Sequence, residues 1–240
     1  ETLYTNALNI LDLAGIPVRS VDRDETHPII IAGGHSTMNP EPMHAFIDAF
    51  VIGEGEGVIH DIINAVQRVK GSQVGTLKHS NVATFNRDDL LHELTKIQGV
   101  YVPQFYETYY LEDGTVSQTE PVIPDIPKVI TKRIVPVLPP PPTHFIVPNI
   151  DIVHNRVSVE IMRGCTRGCR FCHAGMITRP VRERSVDEVL QAAEAAIKNT
   201  GFEELAFLSL SSSDYTHVVE LVTKAGEKFG DTHLRIGLPS

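Results

Sequence analysis

All three cysteines of the chain lie within eight residues of one another. They are Cys165, Cys169 and Cys172, in the run RGCTRGCRFCHAGM at 163–176. Thiolates bind soft and borderline metals, so three thiols at this spacing indicate a metal or iron–sulfur site rather than a disulfide framework. Glycine precedes each of the first two cysteines and allows the positive dihedral angles with which a loop wraps around a compact group. We therefore expect this loop to carry the chemistry of the chain.

Three thiolates leave one ligand position of a four-coordinate set open. In a four-iron cluster, one iron would then have no protein ligand and could bind a small molecule. In a zinc site, His173 could complete a set of three cysteines and one histidine, although it directly follows Cys172 and is awkwardly placed for shared ligation. Buried or redox-idle cysteines are the third alternative. These residues alone leave all three alternatives open.

The elements around the cysteines predict a parallel α/β arrangement. Alternation over 156–162 predicts a strand that ends just before the cysteines. Ser185, with Glu188 three residues later, predicts the capped start of a helix that runs to about Asn199. The next elements are a strand over 204–210, a helix from about Tyr215 to Lys228, and a strand over 234–238. This alternation predicts a parallel sheet, with the cysteines beyond the carboxyl end of its first strand.

The spacing C-x3-C-x2-C, with Phe171 before the third cysteine, resembles the signature of the radical S-adenosylmethionine superfamily. The resemblance implies that Cys165, Cys169 and Cys172 hold a 4Fe–4S cluster and that S-adenosylmethionine binds the open iron. Reductive cleavage would give a 5′-deoxyadenosyl radical that abstracts hydrogen from an unknown substrate. The resemblance also implies that Phe171 packs near the adenine, and that the electron comes from a donor such as flavodoxin or ferredoxin. It names no catalytic side chain.

A second motif follows the predicted strand at 204–210. It consists of Ser212, Ser213 and Asp214. Members of the family usually carry Gly-Gly-Glu at this point, where backbone groups and an acid hold the ammonium of the methionyl group. The resemblance therefore implies that these three residues contact the cosubstrate, although Asp214 is equally suited to be an ordinary helix N-cap.

Arginines are concentrated around the cysteines. They could offset the negative charge of a thiolate-bound cluster or bind an anionic substrate group, or they could form a solvated surface. We expect a mixture of these roles. The six are Arg163, Arg167, Arg170, Arg179, Arg182 and Arg184.

The N-terminal half predicts a doubly wound, Rossmann-like α/β domain. A helix over 2–14 precedes a strand over 29–32, and a strand over 50–52 precedes a helix over 58–69. The runs IIIAGGHSTMNPEPM and DAFVIGEGEGVI resemble the cobalamin-binding-like domain that precedes many radical S-adenosylmethionine cores. The resemblance makes cobalamin a candidate cofactor, and the absence of a D-x-H-x-x-G motif leaves loss of that cofactor as the alternative. The candidate contacts are Gly33, Gly34 and His35.

We therefore expect four segments. A cobalamin-binding-like domain over 1–72 is followed by a helix and β-hairpin connector over 73–120, with its turn at Asp113–Gly114. A proline-rich linker over 121–156 leads to a radical S-adenosylmethionine core over 157–240. A complete core of the family has more βα units than the segment supplies, so this part predicts an incomplete, partial (βα) barrel. The sequence thus looks like a chain truncated at both ends.

Composition narrows the class of protein. The formal net charge of -9 argues against a generally basic, nucleic-acid-coating protein, and no stretch approaches the roughly 18 apolar residues of a membrane-spanning helix. Three clustered thiols favour a reducing, cytoplasmic setting. The leading hypothesis is a radical S-adenosylmethionine enzyme; a cobalamin-dependent methyltransferase of this family and a non-enzymatic zinc module are the alternatives. A methylthiolating enzyme is disfavoured, because such enzymes usually carry a second cysteine-rich cluster domain.

Overall fold

The fold is described from a computed structural model, over residues 3–73, 86–150 and 152–238. The chain divides into two compact units, Glu1–Val135 and Pro136–Ser240, and the boundary falls within the segment predicted as a linker. The first part of the predicted connector, 74–85, lies outside the described residues, as do Asp151 and the last two residues of the predicted core. The predicted mixture of helices and parallel strands is confirmed. No described helix is long and apolar enough to cross a lipid bilayer.

The first unit contains three helices and five strands among its described residues. They are α1 (Tyr4–Leu13), β1 (Ile31–Ala32), β2 (Ala49–Val51), α2 (Gly55–Gln73), α3 (Arg87–Thr95), β3 (Val100–Tyr101), β4 (Tyr106–Tyr110) and β5 (Val116–Pro121). Strand β2 pairs in parallel with β1, as the βα pattern predicts, and antiparallel with β3. Strands β4 and β5 form an antiparallel hairpin. Apolar faces of α2 and α3 pack over β2 and β3, so α3 and β3 complete the core of this unit.

Two glycines of the first unit allow a close backbone crossing. Gly53 has a φ of +114°, and a Cβ there would stand 2.2 Å from the carbonyl oxygen of Arg133. Gly99 has a φ of +86°, and a Cβ there would stand 2.9 Å from the Ile52 carbonyl oxygen. The Arg133 N–H donates to Ile52 O at 2.8 Å, and the Glu54 N–H donates to Arg133 O at 3.1 Å. The backbone around Arg133 thus packs against both glycines, which explains why neither position can carry a side chain.

A buried carboxylate ties the loops of the first unit together. Asp48 is 2% exposed and accepts hydrogen bonds from Ser20 Oγ and from the Ile30 N–H, each at 2.6 Å. It also forms ion pairs with Arg23 at 3.0 Å and with Arg87, at the start of α3, at 2.6 Å. Asp48 therefore joins segments that are distant in sequence, and two buried arginines depend on its charge.

The second unit is a parallel βα arrangement. Its elements are β6 (Val157–Glu160), β7 (Met162–Arg163), α4 (Ala174–Ile177), β8 (Arg182–Glu183), α5 (Val186–Thr200), β9 (Glu204–Leu208), α6 (Val218–Phe229) and β10 (Arg235–Gly237). The sheet has the order β10-β9-β6 with every pair parallel, and α5 and α6 bury their apolar faces in the same core. Helix α5 begins at the predicted cap, where Ser185 Oγ accepts the Glu188 N–H at 3.2 Å. It ends at Gly201, which has a φ of +71°.

Helix α6 begins three residues later than the sequence pattern predicts. Residues Ser212–Asp214 form a 3-10 turn, and residues 215–217, which the sequence pattern assigns to the helix, lie before its start. Tyr215 is buried, and its hydroxyl donates to the Arg184 carbonyl oxygen at 2.8 Å. This contact fixes Tyr215 outside the helix, so the turn after β9 is a distinct loop at the carboxyl end of that strand.

Candidate functional site

The three cysteines lie in the loop between β7 and α4. Strand β7 follows β6 directly, and the intervening Ile161 N–H donates to Leu208 O of the neighbouring strand at 3.0 Å. Strand β7 then pairs antiparallel with β8, which brings the far end of the loop back to its start. The loop therefore leaves the sheet at the carboxyl end of β6, where parallel α/β proteins place their binding sites.

Both predicted loop glycines adopt positive dihedral angles. Gly164 has a φ of +92° and Gly168 a φ of +65°. A Cβ on Gly164 would stand 2.7 Å from the Pro180 carbonyl oxygen and 3.0 Å from that of Thr178. Glycine is therefore required at 164, where the chain turns away from β7 against the returning segment.

The thiols differ in exposure and in the hydrogen bonds that they accept. Cys165 is buried, Cys172 is half-buried and Cys169 is exposed. The Arg167 N–H donates to Cys165 Sγ at 3.4 Å, and the Gly175 N–H donates to Cys172 Sγ at 3.3 Å. Backbone donors of this kind stabilise thiolates and tune the clusters that thiolates hold.

Gly175, in α4, leaves space beside two of the sulfurs. A Cβ on this residue would stand 3.5 Å from Cys172 Sγ and 4.0 Å from Cys165 Sγ. Both sulfurs therefore border the same small volume, next to a backbone without a side chain. The remaining cysteine, Cys169, begins a turn. In this turn the Cys172 N–H donates to Cys169 O at 3.0 Å.

The chemistry of the donor set fits an iron–sulfur cluster. Across 3–73, 86–150 and 152–238, no three His, Cys, Asp or Glu side chains are gathered closely enough to hold a metal ion as they stand. A zinc site needs its ligands around one point, whereas each thiolate of a four-iron cluster binds a different iron. His173, the predicted fourth zinc ligand, is exposed at the start of α4. Three thiols, two of which accept backbone N–H donors, have the chemistry that an iron–sulfur cluster requires.

An ion pair joins the cysteine loop to the turn after β9. Arg167 Nε lies 2.5 Å from Asp214 Oδ2, and Arg167 Nη2 lies 2.5 Å from Asp214 Oδ1. Ser211 Oγ also donates to Oδ2, at 2.7 Å. The hydrogen bonds from Arg167 and Ser211 lower the pKa of Asp214 to about 2. The structure thus places Asp214, one of the predicted cosubstrate contacts, beside the cysteine loop and in its ionised form.

The other predicted cosubstrate residues lie around the same loops. Ser212 is buried, with its Oγ 3.0 Å from Ser209 Oγ, so it helps to form the turn. Ser213 is exposed beside it. Phe171 is 91% exposed between the second and third cysteines. Their contacts with a cosubstrate stay predictions.

Several of the arginines form the framework of the loop. Arg184 is buried and pairs with Glu160 at 3.3 Å and with Glu188 at 2.7 Å. Arg163 pairs with the same Glu160 at 2.9 Å. Arg179 Nε donates to the Cys165 carbonyl oxygen at 3.2 Å. The sequence does not single out Glu160 as a site residue. The signal for it is its position at the half-buried end of β6, two residues before β7.

The glycine loop of the first unit is open. Gly34 has a φ of +99°, and a Cβ built at Gly33 or Gly34 would have no described atom within 4 Å other than those of the glycine itself and its two chain neighbours. His35 is exposed and begins a 3-10 turn. Thr37 Oγ1 lies 2.8 Å from Gly34 O and 2.7 Å from Val51 O, which holds the loop beside β2. The predicted contact of these residues with cobalamin stays a prediction.

Comparison with known proteins gives two family matches and one relative. Residues 159–239 match the model described as the Radical SAM superfamily, and residues 1–103 match the model described as Radical SAM proteins, N-terminal. An uncharacterized protein of Methanocaldococcus jannaschii is 28% identical over 222 residues. The match covers 92% of this chain and 38% of that relative, so the chain spans well under half of the relative's length.

Proposed function

Because the chain belongs to the radical S-adenosylmethionine superfamily, we propose that it binds a 4Fe–4S cluster and cleaves S-adenosylmethionine reductively to start radical chemistry on a substrate. The observation that carries the proposal is the cysteine loop itself. It lies at the carboxyl end of β6, and backbone N–H groups point at two of its sulfurs. When bound, the cluster would supply the electron for the cleavage. A donor such as flavodoxin or ferredoxin would then return an electron to the cluster.

The side chains of the loop and of the neighbouring turn have separate tasks in this proposal. Cys165, Cys169 and Cys172 would hold the cluster, with the N–H groups stabilising the thiolate charge. Asp214 would offer a carboxylate to the ammonium of the methionyl group, and its low pKa keeps it ionised at neutral pH. Ser212 and Ser213 would present the turn, and Phe171 would cover the adenine. Three free thiols also lead us to infer a reducing, cytoplasmic setting.

Replacing His173 separates this function from the zinc alternative. A three-cysteine cluster does not use His173, so we expect His173→Ala to keep the iron and sulfide content of the unaltered protein after anaerobic reconstitution. A zinc site of three cysteines and this histidine would lose a ligand, and its zinc affinity would fall by orders of magnitude. Metal analysis of both proteins, each offered iron and zinc separately, measures the difference. Loss of iron in the variant would show that His173 is not a bystander.

Cobalamin is the finer prediction for the first unit. If the Gly33–His35 loop contributes to a cobalamin site, we expect added cobalamin to stay with the protein through desalting, and His35→Ala to reduce the retained fraction. His44→Ala, which removes another exposed histidine of the same unit, is the matched control. Retention is measured from the visible absorption of the corrinoid. Complete separation of the cobalamin from the protein on the desalting column would contradict this prediction and indicate a domain without the cofactor.

A further inference from the structure

The contact between Arg167 and Asp214 joins the two loops of the candidate site. Arg167 lies between the first two cysteines, and Asp214 lies 47 residues later in the turn after β9. Two parallel N–H···O bonds link the guanidinium to both carboxylate oxygens, each at 2.5 Å. A bidentate pair of this kind fixes the orientation of the carboxylate as well as its distance. Arg167 therefore fixes the orientation of the Asp214 carboxylate.

The carboxylate of Asp214 keeps one acceptor position. An ionised carboxylate has about four positions that can accept a hydrogen bond, two on each oxygen. Arg167 Nε and Ser211 Oγ use those of Oδ2, and Arg167 Nη2 uses one of Oδ1. The other position on Oδ1 has no donor from the described part of the chain. Since the Asp214 side chain is 29% exposed, an external donor can reach it without breaking the contact with Arg167.

We propose that Arg167 is a positioning residue, which holds Asp214 so that the remaining acceptor position on Oδ1 binds the ammonium group of S-adenosylmethionine. The inference rests on the proposed function, because it takes S-adenosylmethionine as the ligand of the site. An ammonium group brings three N–H donors and a positive charge, and a carboxylate with one free acceptor position matches it. Arg167 does not touch the ligand in this account and acts only through Asp214.

The same residue contacts the loop that holds the thiols. The backbone N–H of Arg167 donates to Cys165 Sγ at 3.4 Å, while its side chain reaches Asp214. A change of the side chain removes the second contact and leaves the first. Cluster binding and ammonium binding can therefore be separated by substitution at this one position.

The test uses Arg167→Met, with Arg170→Met as the matched control. Arg170 is an exposed arginine of the same loop, so both variants lose one positive charge from it. Two ligands are titrated into the anaerobically reconstituted proteins. S-adenosylhomocysteine carries the ammonium group but no sulfonium to be cleaved, and 5′-methylthioadenosine lacks the amino-acid part altogether. Iron content and melting temperature are measured on each protein.

We expect Arg167→Met to weaken S-adenosylhomocysteine binding about tenfold, the size of one hydrogen bond to a charged group. Arg170→Met should bind it as the unaltered protein does. Affinity for 5′-methylthioadenosine, iron content and melting temperature should stay unchanged in both variants. Arg167→Lys keeps the charge without the bidentate geometry and should fall between the two. Asp214→Asn should lose as much affinity as Arg167→Met, with little further loss in the double variant.

Three results would overturn the positioning role. Equal losses in Arg167→Met and Arg170→Met would show a general effect of loop charge. A parallel loss of 5′-methylthioadenosine affinity would show that Arg167 supports the loop rather than the ammonium contact. Unchanged affinity for S-adenosylhomocysteine would show that Asp214 does not depend on Arg167. If the unaltered protein holds no iron and binds neither ligand, the proposed function itself is wrong, and the positioning role is rejected with it.

Discussion

Cys169→Ser is expected to reduce the iron bound after anaerobic reconstitution to background, and to leave the melting temperature within about 2 °C of the unaltered protein. Cys169 is exposed and contributes little to packing, so the substitution should affect iron binding and not the stability of the fold. A hydroxyl does not replace a thiolate as a ligand of iron in a cluster. Iron analysis and visible absorption measure the first effect, and thermal unfolding measures the second.

Two further variants make this result specific. Thr166→Ser changes another exposed residue of the same loop and should keep the full iron content. Cys165→Ser should lose the iron and also some stability, because the Cys165 side chain is buried. Full iron content in Cys169→Ser would remove this cysteine from the ligand set and reject the three-cysteine cluster.

Asp48→Ala is expected to lower the free energy of unfolding of the first unit by about 3–5 kcal/mol, the usual cost of breaking a buried ion pair. The substitution leaves Arg23 and Arg87 buried without their shared counter-ion, and it removes the acceptor for Ser20 Oγ and the Ile30 N–H. Denaturant unfolding followed by circular dichroism measures the loss.

Asp61→Ala is the matched control for this prediction. Asp61 also pairs with an arginine at 2.6 Å, Arg133, but its side chain is 41% exposed, where an ion pair contributes about 0–1 kcal/mol. The two variants remove the same group from pairs of similar length and differ in burial. Similar losses in both would contradict the role assigned to the buried carboxylate.

The local features of the second unit follow closely from its sequence. Ser185 and Glu188 predict the start of α5, and Gly201 ends the helix, because capping depends on residues within one turn. Alternation over 156–162 predicts the strand before the cysteines, because one face of that segment is buried. Once this strand is predicted, the position of the cysteine loop beyond its carboxyl end follows directly from the sequence.

The remaining features depend on contacts between residues far apart in sequence. The pattern around Tyr215 predicts a helix, but its hydroxyl bonds the Arg184 backbone, 31 residues away, and delays α6. Gly53 and Gly99 accommodate the backbone of Arg133, a close approach that no sequence pattern indicates. No periodicity shows that Arg167 would meet Asp214. Such pairs form only in the tertiary fold. The sequence therefore identifies both residues as candidates but does not show that they contact each other.

The most direct test of the central claim is anaerobic reconstitution with iron and sulfide, followed by electron paramagnetic resonance of the reduced protein with and without S-adenosylmethionine. We predict broad visible absorption of a thiolate-bound cluster and a reduced-cluster signal that changes when S-adenosylmethionine is added, because the iron without a protein ligand binds it. A protein that takes up zinc and forms no cluster would contradict the account. A cluster whose signal is unaffected by S-adenosylmethionine would contradict it as well.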